Sequence, residues 1–100
     1  MDDPDRLSFL GFSCPRDFRL RTVILQPGDS LGYRQEDWLA ALVVVERGEL
    51  DVECRGGTRA RFGAGSVLVF AALPLRWLRN AGEQPLVLSA LSRAGLTAPD

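Results

Sequence analysis

Turn-forming residues interrupt this chain so often that long elements are excluded. They fall at Gln26-Pro27-Gly28-Asp29, Arg47-Gly48, Arg55-Gly56-Gly57-Thr58, Gly63-Ala64-Gly65-Ser66 and Asn80-Ala81-Gly82-Glu83. Gly and Asn accept positive φ, and Pro presets the first bend of a turn. The pieces left between them run about five to eight residues and are rich in Val, Leu and Phe. A helix needs ten or more residues with a 3.6 period, which these pieces do not carry, apart from a turn around 35–38. The reading is therefore strands. They are expected at 17–25, 32–36, 39–46, 49–55, 58–62, 67–70, 75–79 and 86–93, with a further candidate at 7–13. The 49–55 segment alternates best, with Leu50, Val52 and Cys54 against Asp51, Glu53 and Arg55. Gly56-Gly57 supplies a two-residue hairpin to the next strand. Short strands with turns every 8 to 12 residues or so predict an all-β sandwich or barrel.

With 100 residues, the chain holds one domain, its core at about 18–93, with an N-terminal arm or edge strand at 1–17 and a tail at 94–100. Formal net charge is -1, so no basic field favours nucleic acid or an anionic membrane surface. The longest apolar runs, 38–45 and 67–75, are about half of the roughly 18 residues that span a bilayer. There is no His, and all 12 basic residues are Arg. Without imidazole there is no Ser-His or Cys-His nucleophile pair and no His-based metal site. Without Lys there is no Schiff base and no phosphate-loop lysine. Cys14 and Cys54 match no zinc spacing and read as small apolar filler. The acidic N-terminus is not a signal peptide, so a cytoplasmic location is expected.

The glycine spacing resembles the cupin family of small double-sheet barrels. That family's first motif places Gly, His, His, Glu and Gly at intervals matched here by Gly28, Arg34, Glu36, Ala41 and Gly48. Its second motif, Gly, Pro, Gly, His and Asn, is matched in spacing by Gly65, Ala71, Leu73, Arg76 and Asn80. The resemblance covers about 18–93 and implies a double-stranded β-helix, or jelly-roll barrel. Gly28, Gly48, Gly65 and Asn80 are retained, and these are residues of architecture: the glycines take strained dihedrals and Asn80 caps a turn. The family's metal-ligand positions hold Arg34, Glu36, Ala41 and Arg76. Two arginines repel a divalent cation and Ala41 offers no donor, so the resemblance implies a barrel without metal or other cofactor.

If 34, 36 and 76 point inward as the family's ligands do, Arg34, Glu36 and Arg76 converge at the barrel mouth. Tyr33 and Gln35 then point out, Leu78 lies inward with Arg76, and Leu75 and Trp77 face away. The arginines either fork around an anionic ligand oriented by Glu36, or pair with Glu36 and plug the space. Trp38 shares the parity of Glu36 and lines the cavity, or sits at its rim. Trp77 packs between the sheets, or presents an outward aromatic patch. The 39–46 segment is apolar on both faces, so a second layer or subunit is expected against it, as in a homodimer. The expected function is a metal-free small-molecule binding or sensing module. Its ligand is a small anion held by Arg34 and Arg76, with Glu36, Trp38 and Leu78 completing the site. No catalytic residue is assigned. The alternatives are an isomerase, epimerase or cyclase without metal, and a structural or regulatory dimer with a plugged barrel.

Overall fold

A computed structural model describes residues 18–38 and 41–93. The expected strand at 7–13, the arm at 1–17 and the tail at 94–100 lie outside the described residues. Eight strands form in order: β1 (Phe18–Leu25), β2 (Ser30–Gly32), β3 (Leu42–Arg47), β4 (Glu49–Cys54), β5 (Arg59–Gly63), β6 (Val67–Leu68), β7 (Leu75–Arg79) and β8 (Leu86–Arg93). They make two four-stranded sheets, ordered β1-β8-β3-β6 and β2-β7-β4-β5, and every paired neighbour is antiparallel.

Two expected strands are shorter than their sequence suggested. The segment 32–36 yields only the end of β2, and Gln35–Asp37 forms a 3-10 turn instead. Asp37 and Trp38 donate backbone N–H groups to the carbonyls of Arg34 and Gln35 at 3.0 and 3.1 Å. Glu36 and Asp37 stand in the first turn, where a carboxylate suits the exposed N–H groups, and buried Trp38 anchors the end. The segment 67–70 likewise stops at Leu68, and Phe70–Ala72 turns to bury the Phe70 ring.

The two inner faces fill the barrel. Val43, Val45 and Leu88 from one sheet meet Leu50, Val52 and Leu78 from the other, all buried in a single cluster. One end is closed by polar groups. Buried Asn80 donates through Nδ2 to the carbonyls of Leu25 and Gln84 at 2.9 and 2.7 Å, and its Oδ1 accepts from the N–H of Gly82 at 3.0 Å. The turn-capping role expected of Asn80 is what the side chain performs. At the same end Gly48 has φ +79, and a Cβ there would stand 2.6 Å from the Pro85 carbonyl oxygen. Only glycine satisfies both conditions.

The two outer faces differ in kind. On the β2-β7-β4-β5 sheet, Arg61 pairs with Asp51 at 3.6 Å, and Glu53 pairs with Arg59 at 3.3 Å and Arg79 at 3.6 Å. On the β1-β8-β3-β6 sheet, cross-strand register puts Phe18, Leu20, Ile24, Val44, Val67 and Leu91 outward. Phe18, Ile24 and Val67 are exposed, whereas Val44 and Ser89 at the centre are fully buried.

Candidate functional site

The end of the barrel opposite Asn80 is built where β1 begins, β8 ends and β2 leads into the Gln35–Asp37 turn. Its floor is aromatic. Tyr33 meets Phe70 edge-on at 6.2 Å, and Trp38 meets Phe70 at 4.9 Å. Trp38 and Phe70 are buried, and Tyr33 is half-buried. Ala41 donates its N–H to the Trp38 carbonyl at 3.0 Å, which leads the chain into β3.

The inward convergence of Arg34, Glu36 and Arg76 is not what the fold produces. Leu31 of β2 pairs directly with buried Leu78 of β7, so Leu31 shares the inner face of that sheet. Tyr33, two residues on, therefore packs against the core, and the expected parity of 33 and 34 is reversed. Arg34 turns to the surface, where its guanidinium lies 3.1 Å from Glu36 and 4.0 Å from Asp37. The Arg34 and Glu36 side chains are 69% and 56% exposed, so their pairing is a solvated one and not a plug.

Arg76 is turned outward by a bulge. Trp77 pairs with Glu53, but Leu75 pairs with Cys54, so β7 carries one extra residue there. A bulge of this kind lets two neighbouring positions break the alternation. Leu75 and Leu78 consequently both enter the core, Arg76 is exposed, and the expectation that Leu75 faces away is corrected. Leu78 is inward as expected. Trp77 lies on the outer face, with the Arg79 guanidinium 5.8 Å from its ring. That selects the outward alternative over packing between the sheets. Trp38 is a core residue, fully covered and not at a rim.

The arginine that does reach the inner side is Arg21. It lies opposite Ala90 in the β1–β8 pair, on the same face as Val23 and Leu25 of the core. Its guanidinium sits 4.5 Å from the Trp38 ring centroid. Arg19 shares that face of β1. Arg76 is tied to the same end by its carbonyl, which accepts the Tyr33 N–H at 2.9 Å, and Arg55 donates its N–H to the Pro74 carbonyl at 2.9 Å. Burial raises the Tyr33 phenol above its ordinary value, and the Arg55 charge partly opposes this. Tyr33 is thus a hydrogen-bond donor near neutral pH and not a base. The Glu36 carboxyl is lowered, first by its own backbone N–H and then by the hydrogen bond and charge of Arg34.

Metal does not fit this donor set. The four family ligand positions hold two exposed arginines, an exposed glutamate and buried Ala41. Among the described residues no three His, Cys, Asp or Glu side chains gather as ligands. At the far end lies a cleft of about 530 Å³, lined by Gly48, Glu49, Ala64, Gly82, Glu83 and Gln84. Among the described residues no helix is long and apolar enough to cross a membrane.

Two antiparallel sheets facing each other over one core define a double-stranded β-helix barrel. Solved structures give that barrel its family of folds. No family model and no curated protein matches the chain. The Cupin_2 domain of an XRE family transcriptional regulator from Enterobacter cloacae is similar, with TM-score 0.61, 22% identity, and 84% of each chain covered. A conserved protein with a double-stranded beta-helix domain from Klebsiella pneumoniae has TM-score 0.61 at 16% identity, covering 86% of this chain and 75% of its own. A Cupin 2 conserved barrel domain protein from Salinispora arenicola has TM-score 0.57 at 18% identity, with 86% and 70% covered. The chain has the cupin fold.

Sequence reasoning missed Arg19, Arg21 and Arg55. The signal for the first two was present: both share the parity of Val23 and Leu25.

Proposed function

We propose that the protein is a metal-free binding or sensing module that takes a small anionic molecule at the arginine-bearing end of its barrel. One observation carries this reading. Arg19, Arg21, Arg34, Arg55 and Arg76 gather at that end, and the acids that pair there, Glu36 and Asp37, both engage Arg34. Among the described residues no carboxylate lies in ion-pair range of the Arg21, Arg55 or Arg76 side chains. A guanidinium forks readily around a carboxylate or phosphate. Arg76 and Arg34 remain anchors in this reading, on the rim, with Glu36 orienting Arg34, while Trp38 and Leu78 support the end from the core. A thermal-shift panel tests it. Succinate, citrate or inorganic phosphate in large excess raises Tm by at least about 4 °C, and neutral analogues do not. Equal shifts with charged and neutral compounds, or none with either, refute it. Elemental analysis of dialysed protein should find no stoichiometric iron, zinc, nickel or manganese.

A second proposal concerns partners. Two copies pair across the outer face of the β1-β8-β3-β6 sheet, which supports this by placing exposed Phe18, Ile24 and Val67 around buried Val44. Light scattering on the eluted protein should give twice the mass of the chain, and a monomer at micromolar concentration contradicts the pairing.

A further inference from the structure

We propose that Arg21 is the group that receives the oxyanion, positioned for that purpose by Trp38. This rests on reading the barrel end as an anion site, and it names the residue and the ligand geometry. Stacking on an aromatic ring uses one face of the guanidinium plane, whereas all five N–H donors lie in the plane itself. The Arg21 guanidinium carbon lies over the Trp38 ring, 4.5 Å from its centroid, and none of the described residues forms an ion pair with its N–H donors. Trp38 is itself immobilised, buried to 1% exposure and packed on Phe70 at 4.9 Å. The strand below is equally fixed, since Arg21 pairs with Ala90 in the register that continues to Leu25 and Leu86.

Each competing arginine lacks one of these properties. Arg34 is committed to Glu36 and Asp37. Arg76 is exposed at a bulge, and none of the described residues stacks on it or pairs with its side chain. Arg55 follows the end of β4 and acts on Tyr33 through its charge alone. Arg21 is the guanidinium of the set that lies over a ring and forms no ion pair among the described residues, and pre-organisation of this kind lowers the ordering cost of binding. The ligand it suits presents two oxygens side by side, as a carboxylate or a phosphate does.

Calorimetric titration of the full chain with citrate, succinate and inorganic phosphate tests the inference. Arg21→Lys keeps the charge but loses the planar fork, and it should weaken binding at least about tenfold. Arg47→Lys, at the opposite end, should leave affinity unchanged. A phosphate response without the carboxylates, or the reverse, separates the two oxyanion sources. In a proton–nitrogen spectrum the Arg21 Nε–H signal, identified by its loss in Arg21→Lys, should lie upfield from ring current and move on titration. Trp38→Phe should reduce that upfield displacement together with affinity. If that variant fails to fold, Arg21→Lys still decides the matter. Wild-type binding that Arg21→Lys leaves intact overturns the role of Arg21 and spares the anion reading. No binding of any probe by the wild type removes both.

Discussion

The two outer faces of this barrel are made by strands of the same length class, yet they solve opposite problems. On the β2-β7-β4-β5 sheet, Asp51 and Glu53 of β4 face Arg61 and Arg59 of β5, so opposite charges meet across the outward side of that pair. That face is complete in water. On the β1-β8-β3-β6 sheet, Leu20 faces Leu91 and Val44 faces Val67 and Ser89, with no described ion pair among them. Val44 and Ser89 at its centre are fully buried within the single chain, while Phe18, Ile24 and Val67 stay exposed around them. The lesson is that burial on one side of a strand says little about its other side. β3 is apolar from Leu42 to Val45 because both of its faces are packed there, whereas β4 alternates because one is wet.

Substitutions at matched central positions should break this comparison most clearly. Val44→Asp puts a charge into a fully buried site on the apolar face. It should cost about 3 kcal/mol or more in urea unfolding. The Ser89 hydroxyl on the same face is buried, with no hydrogen-bond partner among the described residues. Ser89→Ala should therefore stabilise the protein, by about 1 kcal/mol, because it removes an unsatisfied polar group. On the charged face, Arg61→Ala breaks contacts of 3.6 and 4.0 Å to Asp51 and Glu49, with the arginine 55% exposed. Its cost should be about 0.5 kcal/mol and should shrink in high salt. The smallest effect belongs to Glu36, which lies off both sheets. Its folded carboxyl is held below the ordinary 4.5, so its contribution is complete above that value and lost as pH falls through the lower one. The Tm difference between wild type and Glu36→Gln should be present at pH 7 and vanish in acid.

The fold was legible because its markers are local. Glycines at fixed spacing, an Asn able to cap, and alternation in 49–55 each report on a few residues of chain. The site was legible only in part. That arginines stand at two of the family's metal-ligand positions could be read directly. Its directions could not, because one extra residue at Arg76 leaves no periodic trace in a five-residue strand. Likewise the inward direction assigned to Arg34 and Glu36 came from the family motif and not from the residues beside them. The local pattern contained the better clue, since Arg19 and Arg21 alternate in phase with Val23 and Leu25.

The most direct test of the account is a crystal structure at high resolution from citrate- or phosphate-containing solution, inspected around Arg21 and Trp38. Oxyanion density is expected in the plane of the Arg21 guanidinium, with the guanidinium still over the indole. Arg21 paired to a carboxylate of the chain itself, with no anion bound at that end, would contradict it.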